Sequence, residues 1–132
     1  MKMKFRIWDE EKNKMYQLGT ETEVDLFQLF KSSVESEGLS FYENSSKKYM
    51  MCTELKDKNG REVYEGDILK TSIKEGEIIT YVLFYQFGWH EKLISSPLNH
   101  WNDYFGFRET VKTMFSTEII GNIYENKEWL NV

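Results

Sequence analysis

The sequence predicts an α+β protein that is mainly β, and three observations favour this class. Aromatic residues make up 16% of the chain, and they favour the pleated, half-buried surface of a sheet. Short apolar segments separated by turn residues recur through the second half of the chain, which is typical of a small β-barrel. One segment near the N-terminus instead repeats its apolar residues at helical spacing. We therefore expect one helix in a protein otherwise built from strands.

The N-terminal part is predicted to hold a β-hairpin followed by that helix. Residues 4–8 alternate polar and apolar side chains, and a second short apolar segment, 15–18, follows a charged turn. Thr22 then has an acidic residue three places on, as in a capping box, and apolar residues recur at helical spacing after it. These signals predict a helix over about 23–36, which Gly38 is placed to end.

The remainder of the chain is predicted to be strands and turns. The run from Tyr49 to Thr53 predicts a buried strand, and Asp57–Gly60 predicts a turn because Asn-Gly tolerates a positive φ. Five more strands are predicted at Ile68–Ser72, Ile78–Tyr85, Gly88–Ile94, Thr110–Phe115 and Glu118–Tyr124. This spacing favours a small barrel. We expect an N-terminal α+β part over 1–62 and a C-terminal barrel over 63–132, joined without a flexible linker.

Charge and cysteine content restrict the partners and the compartment. The formal net charge is −5 and there is no basic cluster, whereas nonspecific nucleic-acid binding depends mainly on Lys and Arg that neutralise phosphates. Nucleic acid is therefore a disfavoured partner, though it stays open. Cys52 is the single cysteine, which excludes an intramolecular disulfide and a thiolate zinc cluster. No apolar run reaches the roughly 18–20 residues of a membrane span. We expect a cytoplasmic protein without a membrane partner, cofactor or metal.

Candidate catalytic residues are few. His90 and His100, with Glu91 and Asp103 nearby in sequence, are residue types that could form a metal site or supply a general base. Their spacing matches no catalytic or metal-binding motif. Cys52 has apolar neighbours and is expected to pack inside a strand, and the glycines form no phosphate-binding loop. No catalytic residue is assigned, and a non-enzymatic role is favoured.

Aromatic residues are concentrated in one third of the chain. Eight of them lie between positions 84 and 107, in and around a long irregular segment, 95–106. This is more than the core of a small barrel is expected to bury, so some should be exposed. Exposed rings anchor protein interfaces or stack on bases, and the lack of basic neighbours favours the protein interface. The candidate interaction surface comprises Trp89, His90, His100, Trp101 and Tyr104.

Three segments carry a resemblance to a known family: Lys4–Asp9, Leu55–Ile68 and Glu118–Asn126. Their order and spacing resemble those of the YopX-like family of phage and prophage proteins, and the resemblance spans nearly the whole chain. It implies an α+β N-terminal part, a small SH3-like barrel and a location in the cytoplasm of a bacterial host, with no assigned activity. The matched positions are Tyr64, Glu65, Gly66, Asp67, Gly121, Asn122 and Tyr124.

A structural role is favoured for the matched positions. Gly66 can take a positive φ, and Asp67 can cap the following turn with its carboxylate and so start the next strand. Gly121, inside a strand, indicates a bulge or the close approach of another backbone, which would serve barrel closure.

Three functional hypotheses follow. The first is a non-enzymatic prophage accessory protein that binds protein, with self-association into a homo-oligomer as the nearest possibility. The second is a nucleic-acid-binding module, for single strands or otherwise, built on the SH3-like barrel. The third is a metal-assisted hydrolase that uses His90 and His100.

Overall fold

Strands make up nearly all of the regular structure in the part of the chain that the structure describes. The computed structural model describes residues 4–17, 47–85, 87–98, 104–106 and 116–131, and the strands fall into two sheets. The elements are β1 (Phe5–Asp9), β2 (Lys14–Gln17), β3 (Lys47–Lys56), β4 (Glu62–Tyr64), β5 (Asp67–Ile73), β6 (Gly76–Tyr85), β7 (Gly88–Ser95), β8 (Tyr104–Gly106), β9 (Thr117–Asn122) and a short 3-10 helix, Lys127–Asn131. The prediction of a mainly β protein is confirmed. The predicted helix over about 23–36 and the predicted strand Thr110–Phe115 lie outside the described residues.

The chain divides into two compact units, Met1–Met51 and Cys52–Val132. In the first unit, β1 pairs antiparallel with β2 and with the first half of β3. Ile7 lies opposite Tyr16 on one side and Tyr49 on the other, and Phe5 packs against the same cluster. Residues opposite each other in a ladder share a face, so these side chains bury one face of β1. The fully buried Ile7 contributes about 1.5–3 kcal/mol by its removal from water.

The turn between β1 and β2 is held by a buried carboxylate. Asp9 Oδ1 accepts hydrogen bonds from the backbone N–H groups of Glu11, at 3.0 Å, and Lys12, at 3.2 Å. Asn13 has a φ of 55°, a left-handed conformation that asparagine tolerates better than most residues. These features close the turn before β2 begins.

The second unit contains a five-stranded antiparallel sheet in the order β8-β7-β6-β5-β9. Leu69, Val82 and Ile119 on its buried face form an apolar cluster with Val63 of β4, and Trp89 packs against this cluster. Leu69 lies opposite Ile119 across β5 and β9, so the cluster is continuous across the sheet. Polar pairs extend this buried face, because the hydroxyls of Thr71 and Thr117 lie 2.8 Å apart.

The second half of β3 pairs with β4 through an irregular ladder. Cys52 lies opposite Tyr64 and Lys56 opposite Glu62, with a register shift between them. Glu54, within the shift, has a φ of 67°, which re-aims the strand as β-bulges do. Cys52 is buried and its sulfur accepts a hydrogen bond from Glu54 N at 3.3 Å. The thiol therefore packs within a strand, as the apolar neighbours of Cys52 predict.

Candidate functional site

The most exposed apolar feature of the described residues is the hairpin formed by β6 and β7. Tyr85 pairs with Gly88, so the strands are joined across only two positions, 86 and 87. Two-residue hairpin loops favour turns with positive φ, for which glycine and asparagine are the suitable residues. Phe87 has a φ of 63°. A left-handed conformation costs a residue with a Cβ about 1–2 kcal/mol, so Phe87 strains the turn.

The rings at this hairpin differ in their exposure. Phe87 is fully exposed and Phe84 is 57% exposed, whereas Trp89 is half-buried and packs against the core cluster of the second unit. Phe84 and Trp89 lie opposite each other, with ring centroids 5.3 Å apart in an edge-to-face arrangement. We call Phe84, Phe87 and Trp89 the aromatic tip. Trp89 anchors the tip to the core and the two phenylalanines project from it.

The aromatic tip lies in a segment without formal charge. Residues 83–90 contain no Asp, Glu, Lys or Arg. Phosphate recognition depends on Lys, Arg or clusters of backbone N–H groups, and this segment offers none of the cationic side chains. Its chemistry suits contact with an apolar protein surface.

Part of the predicted interaction surface lies within the described residues. Trp89 and His90 are neighbours on β7 and therefore point to opposite faces of the sheet. His90 is half-buried, and its Nδ1 lies 3.1 Å from the carbonyl oxygen of Gly88. Tyr104 begins β8 opposite Lys92. His100 and Trp101 lie outside the described residues. Of the predicted residues whose side chains the structure describes, Trp89 belongs to the aromatic tip and His90 does not.

The tip also includes two rings that were absent from the predicted surface. Phe84 and Phe87 belong to the same aromatic-rich third of the chain, but the aromatic content of that segment does not tell which rings are buried. A local sequence signal could have distinguished the exposed rings from the buried ones. A phenylalanine directly before Gly88, between two apolar strands, stands at a loop position where a side chain points away from the sheet.

Two members of the histidine and carboxylate set of the hydrolase hypothesis, His90 and Glu91, lie in the described strand β7. Glu91 follows His90 in the strand and points to the opposite face. Glu91 is buried and accepts a hydrogen bond from Thr80 Oγ1 at 2.6 Å. His100 and Asp103 lie outside the described residues. Within the part of the chain that the structure describes, no group of three His, Cys, Asp or Glu could hold a metal ion.

The turn before β5 joins separate elements of the second unit. Gly66 has a φ of 87°, as predicted. Its N–H donates to the carbonyl of Val82 at 2.8 Å, and its carbonyl accepts from Ile123 N at 2.9 Å. Asp67 is buried, and its Oδ2 accepts from Tyr64 N at 2.7 Å. This bond closes the turn that precedes β5, whereas the sequence predicts that the Asp67 carboxylate caps the turn that follows. Glu65, within the turn, is half-buried.

Gly121 lies at a bulge, as predicted. Ile68 pairs with Gly121 and Leu69 with Ile119, which leaves one extra residue in β9 between the two pairs. A Cβ on Gly121 would lie 2.8 Å from Cγ of Asn126, closer than nonbonded carbon atoms approach. The side chain of Asn126 occupies this space because its Oδ1 accepts a hydrogen bond from Asn122 N at 3.1 Å.

Asn122 organises the turn after β9. Its Oδ1 accepts from the N–H groups of Tyr124, at 3.0 Å, and Glu125, at 2.8 Å. Its Nδ2 donates to Glu125 Oε1 at 2.9 Å. A side-chain oxygen that accepts from the second and third residues ahead is the usual asparagine turn, so these contacts serve the local backbone.

Asp57 ties the β3–β4 turn to the outer side of β9. Its Oδ1 accepts from Asn59 N at 3.0 Å and Arg61 N at 2.9 Å, while its Oδ2 accepts from Ile119 N at 3.0 Å. Beside it, Lys58 N donates to the carbonyl of Thr117 at 2.9 Å. Burial raises the pKa of Asp57, but the hydrogen bonds from Ile119, Arg61 and Asn59 and the charge of Arg61 outweigh burial and hold the pKa below its ordinary value.

Ion pairs lie on the face of β5 and β9 that points away from the apolar cluster. Lys70 Nζ is 2.8 Å from Glu118 Oε1 and 3.7 Å from Glu77 Oε1, and Lys58 Nζ is 3.8 Å from Glu118 Oε2. The hydrogen bond and charge of Glu118 raise the pKa of Lys70. The hydrogen bond from Lys70 lowers the pKa of Glu118. These groups are partly exposed, so their attraction is weakened by water and salt.

Among the described ranges, no helix is long and apolar enough to cross a membrane.

The fold and the site define a small, mainly β protein with two sheets and an exposed aromatic hairpin. A family model described as YopX protein matches residues 4–131, and the chain belongs to this family. The resemblance of the three sequence segments is thereby confirmed.

Solved structures share the fold. The crystal structure of protein EF1440 from Enterococcus faecalis has a TM-score of 0.59 at 19% identity, covering 98% of this chain and 99% of that chain. The crystal structure of protein yopX from Bacillus subtilis also has a TM-score of 0.59, at 20% identity, with the same coverage. Among curated proteins no significant match is found.

Proposed function

We propose that this chain is a non-enzymatic prophage accessory protein of the bacterial cytoplasm. Its role is to bind protein through the aromatic tip, and its nearest partner is a second copy of itself in a homo-oligomer. The observation that carries this proposal is Phe87, which is fully exposed in a left-handed backbone conformation.

In the isolated chain Phe87 carries one energetic cost and leaves one favourable contribution unused. The left-handed φ costs about 1–2 kcal/mol for a residue with a Cβ. The exposed ring also forgoes the roughly 1.5–3 kcal/mol that burial of a large apolar side chain supplies. Glycine would remove the first cost at this position. A contact that buries the ring in a complex would supply the second contribution, so an interface accounts for a residue that the isolated fold does not favour.

The charge pattern supports protein over nucleic acid as the partner. Aromatic rings that bind single strands work together with a cationic groove that follows the phosphates, whereas residues 83–90 have no Lys or Arg. Aromatic side chains in an uncharged surround are typical of the central region of protein interfaces.

The proposal extends to the closure of the C-terminal sheet and to the make-up of the N-terminal part. We propose that the strands over 63–132 close into a small SH3-like barrel and that residues 1–62 form an α+β part with a hairpin and one helix. Support comes from the two turns of the second unit. The turn at Gly66 bonds to β6 and to Ile123, and the turn at Asp57 bonds to β9.

Light scattering over a series of protein concentrations tests the proposed self-association. The wild type is expected to show a mass above that of one chain, and Phe87→Gly is expected to reduce it to one chain. Leu130→Gly is the matched control, because Leu130 is also exposed, at 46%, but lies in the C-terminal 3-10 helix. This control should associate like the wild type.

Two results would count against the proposal. One is a wild type that stays a single chain at every concentration and captures no host or phage protein. The other is a mobility shift of single- or double-stranded DNA or RNA at about 50 mM salt, where electrostatic binding is strong. The second result would favour the nucleic-acid hypothesis instead.

A further inference from the structure

The β3–β4 turn exposes the single Asn-Gly pair of the chain. Asn59 and Gly60 are both exposed, and Gly60 has a φ of 80° with nothing within 4 Å of the position of a Cβ. The Asn59 carboxamide forms no hydrogen bond with any other described residue, although its backbone N–H is bonded to Asp57. The carboxamide is therefore exposed, and Gly60 has no side chain that would hinder attack by its own backbone nitrogen.

We propose that Asn59 is a site of spontaneous deamidation through a cyclic imide. The backbone nitrogen of Gly60 attacks Cγ of Asn59 and forms a C–N bond. The bond from Cγ to Nδ2 then breaks, and the amide proton of Gly60 ends on the departing ammonia. Water opens the imide at either carbonyl and gives aspartate or isoaspartate. Water is the only co-reactant, and no group is oxidised or reduced.

Asp57 controls the rate of this reaction. Gly60 N donates to the backbone carbonyl of Asp57 at 3.0 Å, and Asn59 N donates to its Oδ1 at 3.0 Å. The nitrogen of Gly60 is thus engaged and the turn is fixed on both sides of the reacting bond. The turn must open before the nitrogen reaches Cγ, so the Asp57 carboxylate slows the attack.

The products loosen the attachment of the turn to β9. Isoaspartate adds a methylene to the backbone between positions 59 and 60, which displaces Arg61 N from Asp57 Oδ1. Either product also adds one negative charge beside Asp57 and lowers the formal net charge of −5 by one. Both changes weaken the site that holds Ile119 N, so the modification alters the edge of the sheet and not only one exposed side chain.

Peptide mass spectrometry of the purified full chain, incubated at mildly alkaline pH, tests the proposal. Asn13, Asn122 and Asn126 are internal controls, because each is followed by a residue with a side chain. Conversion at Asn59 is expected to be at least about tenfold faster than at any control, with ammonia replaced by water in the peptide mass. Gly60→Ala should slow it. An Asn59 rate equal to that of Asn13 would overturn the proposal.

The role of Asp57 has its own variant. The hydrogen bonds to the charged Asp57 carboxylate raise the free energy needed to open the turn. Their loss in Asp57→Ala should therefore accelerate conversion at Asn59 by about tenfold. If this variant fails to fold, the wild type in urea replaces it, because unfolding removes the bonds of the carboxylate together with the bond from Gly60 N to the Asp57 carbonyl and should give at least the same acceleration. A rate at Asn59 that is unchanged by Asp57→Ala in the folded chain, or by urea, would refute the control by Asp57.

Discussion

Replacing Phe87 by glycine is expected to stabilise the isolated chain, although the change removes a large apolar side chain. Relief of the left-handed conformation contributes about 1–2 kcal/mol. Glycine costs about 0.5–1 kcal/mol through the greater freedom of the unfolded chain. The ring is fully exposed, so its removal forfeits almost no burial. The free energy of unfolding should therefore rise by about 0.5–1 kcal/mol.

Urea denaturation followed by tryptophan fluorescence measures this change. The protein is studied at a concentration at which it is a single chain, because association would stabilise the wild type by mass action. With a denaturant slope of about 1–3 kcal/mol per molar, the midpoint should rise by a few tenths of a molar while the slope stays unchanged.

Phe84→Gly is the matched control from the same hairpin. Phe84 has no positive φ, and its ring contacts Trp89 with centroids 5.3 Å apart. This variant should lose about 1–2 kcal/mol of stability, from burial, ring contact and strand propensity together. If Phe87→Gly also lowered the midpoint, the ring of Phe87 would be supporting the hairpin, and the case for an interface residue would fail.

Three further changes probe the remainder of the second unit. Gly121→Ala should destabilise the chain by about 1–3 kcal/mol, because the added methyl displaces the asparagine side chain that bonds to β9. Gly60→Ala, whose Cβ would meet no atom within 4 Å, is its control in urea denaturation and should cost about 1 kcal/mol, from φ alone. Asp57→Ala should cost about 3 kcal/mol, because it leaves a buried N–H of β9 without its acceptor. The pKa of Asp57 is lowered in the folded chain, so its stabilisation is present above its unfolded pKa of about 4 and is lost as pH falls through the folded value. The stability of Asp57→Ala should therefore fall less steeply than that of the wild type as the pH is lowered. Parallel curves of stability against pH for the two proteins would contradict this assignment to Asp57. Glu118→Gln removes the closer of the two acidic partners of Lys70, whose pKa is raised mainly by Glu118, so the wild type should lose more stability than the variant as pH rises through the folded pKa of Lys70. Added salt should reduce the difference in stability between the wild type and Glu118→Gln. If that difference changed with neither pH nor salt, the ion pair would contribute nothing to stability.

The strands β5, β6, β7 and β9 were predictable because their signals are local, whereas β8 lies in the segment 95–106 that was wrongly predicted to be irregular throughout. The apolar runs at 78–85 and 88–94 correspond to β6 and β7. The positive φ of Gly66 followed from its place in a turn. The interaction surface was less predictable. Trp89 and His90 were grouped by proximity in sequence, although adjacent residues of a strand point to opposite faces.

Long-range contacts account for what the sequence could not supply. The Asp57 carboxylate bonds to Ile119 N, 62 positions away, and nothing in the composition around either residue indicates this pair. The orientation of Asn126 into the space above Gly121 is equally hidden, because it depends on how the final turn folds back. Likewise, aromatic content predicts that some rings are exposed, but the exposure of Phe87 depends on the two-residue connection between β6 and β7.

The attachment of the β3–β4 turn to β9 has a practical consequence for protein engineering. Surface turns are usually the preferred places for inserted tags and fused domains. Here Lys58 N and the Asp57 carboxylate take the place that a further strand would occupy beside Thr117 and Ile119, so the length of the β3–β4 connection is fixed by the spacing of the backbone groups in β9. An insertion between positions 57 and 61 would break the hydrogen bonds that cover the edge strand β9, so fusions should be made elsewhere.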